Sequence, residues 1–136
     1  NHFLKTHLRL MLYIPEIFGT FFALLSVILG AFGAHFLKKR IPEPAVQSFE
    51  VGVRYMMYHG LALLILPLFS LAKTEWIERF FILGTVLFSF SIFLLSLQTL
   101  FKRNLKVLGP VTPVGGFLLI VGWGLLLSKF LNFYIK

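Results

Sequence analysis

The sequence predicts an all-α integral membrane protein, a four-helix bundle of up-down topology with both termini on the same side of the bilayer. Three observations carry this. The chain has 136 residues, 58% of them hydrophobic and 17 of them Phe, and only 13% are charged, against about 25% in soluble domains. Its mean hydropathy is +0.89. Four apolar runs separated by short polar turns are each long enough for a hydrocarbon core, which takes about 20 residues of helix. A single membrane domain over residues 1–136 suits this length.

Residues 1–14 are basic and partly apolar, with Lys5, Arg9 and then Leu10 to Ile14, and suit the bilayer interface. The first span covers about residues 15–37. Pro15 and Glu16 fit a first helical turn, where proline forfeits no hydrogen bond and a carboxylate meets the positive end of the dipole. Ile17 to Leu37 then carries no Lys, Arg, Asp or Glu. A cleavable signal peptide is the competing reading, but the apolar run is too long for one and further spans follow, so a retained helix is expected. Residues 38–54 read as a polar connection in which Pro42 and Pro44 break helix and Val46 to Val53 form a short amphipathic piece. The second span covers about residues 55–72 with a kink at Pro67, the third about 80–101, and the fourth about 113–131. For the last, Thr112 is the expected N-cap, with Pro113 at the first helical position.

The absence of Cys excludes disulfides, thiolate catalysis and Cys-ligated metal centres. Five acids stand against 13 Lys plus Arg, for a net charge of +8. Because the basic residues flank apolar runs, the expected partners are anionic lipid headgroups and not nucleic acid. Lys5, Arg9, Lys73, Arg79, Lys129 and Lys136 fall on the side of the termini. Lys38, Lys39, Arg40, Arg54, Lys102, Arg103 and Lys106 fall on the other. So even a division does not orient the protein by the positive-inside rule.

On a helical wheel Gly19, Ala23, Ser26, Gly30, Gly33 and Ala34 share one narrow arc of the first span. Lipid supplies no hydrophobic drive between helices, so such small-residue seams hold a bundle together by close approach. Packing within the chain is the expected use, and a dimer contact the alternative. Gly84, Phe88, Ser91, Leu95 and Gln98 form an inward stripe on the third span, with Thr85, Ser89, Ser96 and Thr99 on a neighbouring face. These hydroxyls are expected to bond the carbonyl one turn back. Thr112, Gly115, Gly116 and Trp123 share a face of the fourth span, and Gly115 and Gly116 are read as helix-packing positions.

Up-down connectivity gathers His35, Arg54, Tyr55, Tyr58, His59, Gln98 and Thr112 toward the surface opposite the termini, as one polar layer. It reads as an interhelical hydrogen-bond network, or as a shallow site for a lipid headgroup, quinone or small solute. Ligation of haem or a metal by His35 and His59 is a weaker alternative, since no third ligand accompanies them at fixed spacing. No cofactor and no metal are expected.

Four motifs in order carry a resemblance. They are Gly30-Ala-Phe-Gly-Ala-His35, then Phe49-x-x-Gly52-x-x-Tyr55-x-x-Tyr58-His59, then Leu83-Gly-Thr-Val-Leu-Phe-Ser89-x-Ser91, then Val111-Thr-Pro-Val-Gly-Gly116 with Gly122-Trp123. Together they resemble the YgdD/YwdK-like family of small bacterial inner-membrane proteins, which has eukaryotic relatives and is classed as a domain of unknown function. The resemblance covers nearly the whole chain and implies four transmembrane helices with no established activity. Met56 stands where the family usually has glutamine, Val51 where threonine is common, and Phe90 where glycine often separates the serines. Losing an amide and a hydroxyl argues against a fixed ligand in the polar layer.

The chain has no Walker loop, no Gly-x-Ser-x-Gly elbow and no His-Glu-x-x-His pair. Every glutamate lies near a span boundary, where a coupled transporter would place an acid mid-membrane. The expectation is therefore a non-catalytic accessory or interaction subunit that packs with other integral membrane proteins and lipids in a bacterial inner membrane. The alternative is a lipid- or small-solute-handling protein, which requires a cavity reaching both His35 and His59.

Overall fold

The computed structural model describes residues 1–135, and their side chains except those of Arg9, Leu10, Met11 and Phe133. Lys136 and the Arg9 side chain, counted above with the basic residues near the termini, lie outside this description. Five helices follow one another among the described residues: α1 (His2–Leu12), α2 (Ile14–Leu37), α3 (Glu43–Ile65), α4 (Glu75–Ser96) and α5 (Val111–Ile135). The last four are long and apolar enough to cross a membrane. Their outer faces are what lipid requires, with Leu24 59%, Phe117 64% and Ile120 68% exposed.

Consecutive long helices run antiparallel, as the order of their contacts shows. Gly19 meets Gly60 while Gly33 meets Phe49, so α2 and α3 oppose each other. Gly52 meets Phe93 and His59 meets Phe81, which opposes α3 to α4. Gly84 meets Gly115 and Phe81 meets Gly122, which opposes α4 to α5. The bundle is therefore up-down, and the two ends of the described chain fall on one side. Phe22, Phe49, Met56, Leu63, Phe81 and Leu119 form its buried centre.

Several boundaries differ from the sequence expectation, each for a local reason. Residues 43–54 are not a connection with a short amphipathic piece, because α3 starts at Glu43 and runs unbroken. Pro42 is its N-cap and Pro44 lies in the first turn, where no backbone donor is needed. At the other end Pro67 does not kink the helix. The chain tightens into a 3₁₀ turn at Leu66–Phe69 and leaves through Ser70, at φ 52°. α4 begins at Glu75 rather than near residue 80, with Thr74 as N-cap, and ends at Ser96 rather than near 101. Val111, not Pro113, opens α5, so Thr112 is already helical.

Two π-helical turns interrupt the spans, at Leu29–Gly33 in α2 and Val86–Phe90 in α4. The first widens the spacing of buried positions. Along α2 these run Gly19, Phe22 and Ser26, then Ala34 and Leu37, which leaves Gly30 exposed.

The closest helix contacts are built on glycine. A Cβ on Gly19 would lie 2.7 Å from the Gly60 carbonyl oxygen, and one on Gly60 would lie 3.1 Å from the Ala23 nitrogen. At the α4–α5 crossing a Cβ on Gly115 would run into the Phe88 backbone, and one on Gly84 would come within 2.8 Å of Leu119. Such approach is how membrane helices gain van der Waals contact without a hydrophobic drive. Of the seam read from sequence, Gly19, Ser26 and Ala34 are buried, and Ala23 and Gly33 half-buried. A Cβ on Gly30 would meet only a Val53 methyl, at 3.4 Å, and one on Gly116 would make ordinary contact with the Phe88 ring.

Candidate functional site

His59 is the centre of the most polar point in the bundle interior. It is 4% exposed on α3, among rings from two other helices: Phe81 of α4 at 5.5 Å and Trp123 of α5 at 5.8 Å, both edge-on. Its Nδ1 lies 2.7 Å from the Tyr55 carbonyl oxygen one turn back. The Trp123 indole donates from Nε1 to His59 Nε2 at 2.9 Å. An indole N–H can only donate, so Nε2 is the acceptor, and a carbonyl can only accept, so Nδ1 carries the proton. The geometry thus assigns one neutral tautomer with both nitrogens spent. His59 clasps α3 to α5 and has no lone pair left for a metal or a substrate proton.

A crevice of about 300 Å³ lies beside this pair, bounded by Tyr55, Phe88, Gly116, Leu119 and Ile120. Tyr55 at 40% and Trp123 at 46% exposed open it to the outside of the bundle. It is a notch in the lipid-facing surface and not a path through the protein.

A second polar level lies nearer the surface opposite the chain ends. Ser91 donates to the Phe88 carbonyl at 2.9 Å, so in the 2.7 Å contact between hydroxyls Thr112 must donate to Ser91. Ser89, fully buried, donates to the Gly52 carbonyl at 2.8 Å and so ties α4 to α3. Ser91 does bond back along its own helix, as expected of a serine in a membrane span, whereas Ser89 reaches across. Two positions apart on a helix, the two serines face different neighbours; the π turn at Val86–Phe90 contains Ser89 and ends just before Ser91.

The residues read from sequence as one polar layer are not one cluster. Trp123 lies about 16 Å along α5 from Thr112, so the His59 pair and the Ser91–Thr112 pair occupy different depths. The reason is the early start of α3, which puts His59 about 24 Å along that helix from Glu43 and moves it inward. Tyr55 joins His59, stacking at 6.2 Å, while Tyr58 packs on Tyr55 at 5.8 Å and faces outward. Gln98 lies beyond α4, where its Oε1 accepts from the Leu105 N–H at 3.2 Å and closes the 97–110 loop. His35 and Arg54 are exposed on α2 and α3. Nothing among the described residues joins His35 to His59, and no group of three or more His, Cys, Asp or Glu is placed there to hold a metal. Sequence reasoning had Trp123 on the right face of the fourth span but missed its bond to His59. The signal was a donor-only indole in an apolar span, which needs an acceptor on a neighbouring helix.

Fold and interior together define a small polytopic membrane protein with polar groups used as interhelical ties. Residues 29–116 match the family described as "Protein of unknown function (DUF423)", and the chain belongs to that family. Among its relatives, the UPF0382 membrane protein SH2409 of Staphylococcus haemolyticus is 36% identical over 120 residues, 86% of this chain and 94% of the relative. The UPF0382 membrane protein YwdK of Bacillus subtilis is 37% identical over 115 residues, 79% of this chain and 87% of the relative. The UPF0382 membrane protein C1782.12c of Schizosaccharomyces pombe is 38% identical over 106 residues, 76% of this chain and 90% of the relative. No solved structure matches.

Proposed function

We propose that this protein is a non-catalytic accessory subunit that packs against other integral membrane proteins, in the cytoplasmic membrane of a bacterium. The observation that carries the reading is the saturation of His59. The one buried imidazole has both nitrogens bound within the chain, so it serves cohesion and offers neither base nor ligand. The surface supports it as well. Gly124 on the outer face of α5 has nothing within 4 Å of where a Cβ would be, beside exposed Ile120 and Leu127. An outward glycine on a lipid-facing helix permits a foreign helix to come as close as α2 comes to α3. The membrane assigned is supported by the Bacillus and Staphylococcus relatives.

The lipid- or solute-handling reading needs a cavity reaching both His35 and His59. The crevice at His59 is not lined by His35, and that reading is not adopted. A photo-crosslinking residue at position 124, in native membranes, tests the proposal. A protein adduct of discrete mass at 124, absent when the same residue replaces Leu94 on α4, is the expected result. Lipid adducts alone at both positions would overturn it.

A further inference from the structure

The exposed Gly30 and the helix beside it form a second lipid-facing recess, on another side of the molecule from His59. It has a volume of about 240 Å³ and is lined by Gly30 and Ala34 of α2 and by Glu50, Val53 and Arg54 of α3. The recess exists because the π turn at Leu29–Gly33 places a residue without a side chain opposite Val53, at 3.4 Å from where a Cβ would be. π turns inside α-helices recur at functional positions. Glu50 and Arg54 stand one helical turn apart and share a face of α3, Glu50 half-buried and Arg54 exposed.

Their depth makes the pair unusual. Gly30 lies about 12 Å inboard of Lys38 along α2, and Arg54 is level with it across the contact to Val53. Ionisable groups at such depth are costly in lipid and are kept where they have a partner. The arginine stem is long enough to carry its guanidinium up toward the headgroups.

We infer that this recess binds the headgroup of a phosphatidylethanolamine. The guanidinium of Arg54 offers a bidentate fork to a phosphodiester, and the Glu50 carboxylate one turn nearer the surface accepts hydrogen bonds from a primary ammonium. The two charges of the site cancel, which suits a zwitterionic headgroup. A glycerol headgroup would leave the carboxylate beside a phosphate with no cation of its own. A choline headgroup has no N–H to give it. The site is independent of any protein docked at Gly124, and its test leaves that proposal untouched.

The test is native mass spectrometry of the full chain released from micelles containing equal amounts of phosphatidylethanolamine, phosphatidylglycerol and phosphatidylcholine. The protein is expected to retain one phosphatidylethanolamine over either competitor by about fivefold or more, a preference of about 1 kcal/mol. Arg54→Leu removes retention, Glu50→Gln removes the preference over phosphatidylcholine, and Gly30→Leu fills the recess and removes retention without altering charge. Arg103→Gln in the distant 97–110 loop leaves retention unchanged. Equal retention of the three lipids, preference for phosphatidylglycerol, or a preference that survives both Arg54→Leu and Gly30→Leu would each overturn the assignment.

Discussion

Trp123 can give one hydrogen bond and take none, and in a hydrocarbon setting it has few places to give it. His59 supplies the acceptor, so each of the two explains the other. Trp123→Phe keeps the ring but strands Nε2, and should lower the stability of the purified protein by about 1–2 kcal/mol. In a double-mutant cycle with His59→Leu, the second substitution should cost much less than it does alone, as read by unfolding in mixed micelles. Additive losses would mean that the indole and imidazole do not depend on one another. Thr85 makes the opposite case. It is fully buried and its hydroxyl has no partner, so Thr85→Val, which keeps the shape, should raise stability by about 1 kcal/mol. A loss on that substitution would show that the hydroxyl is bonded after all.

At the scale of the helices, glycine placement decides which surfaces close. Gly19→Ala puts a methyl against the Gly60 carbonyl, where backbone cannot step aside, and should cost about 1–3 kcal/mol. Gly124→Ala, which meets nothing, should cost almost nothing in the isolated protein. Thermal denaturation of the pair separates close packing from mere helix preference, since both changes favour helix equally. α1 presents a different kind of surface. Leu4, Leu8 and Leu12, all more than half exposed, line one side of the helix, and Thr6 lies on the other. That pattern suits a helix lying in the bilayer interface. Because the chain has no Cys, single spin labels can be placed cleanly. A label at Leu8 should be accessible to oxygen and one at Thr6 to a water-soluble nickel chelate. The reverse, or equal accessibility, would place α1 elsewhere.

For the whole molecule, the number of spans and their order were legible because charge-free runs of bilayer length have no other stable use. The seam residues Gly19, Ser26 and Ala34 were legible for the same reason, since small residues in lipid mark helix contacts. What was not legible follows from backbone events that leave no mark in composition. Nothing in Leu29–Gly33 or Val86–Phe90 announces a π turn, yet one opens the recess at Gly30 and the other carries Ser89 where it reaches the Gly52 carbonyl. Pro42 and Pro44 read as helix breakers because a proline that ends a helix and one that begins it look alike out of context. That single ambiguity displaced the start of α3, and with it the depth of His59.

The account rests on four crossings that return the chain to its starting side. Single cysteines in place of His2, Lys39, Thr74 and Asn104, probed with an impermeant maleimide on sealed vesicles of one orientation, test this directly. Positions 2 and 74 should label together from one face, and 39 and 104 together from the other. Labelling of 39 and 104 from opposite faces would contradict the four-span bundle.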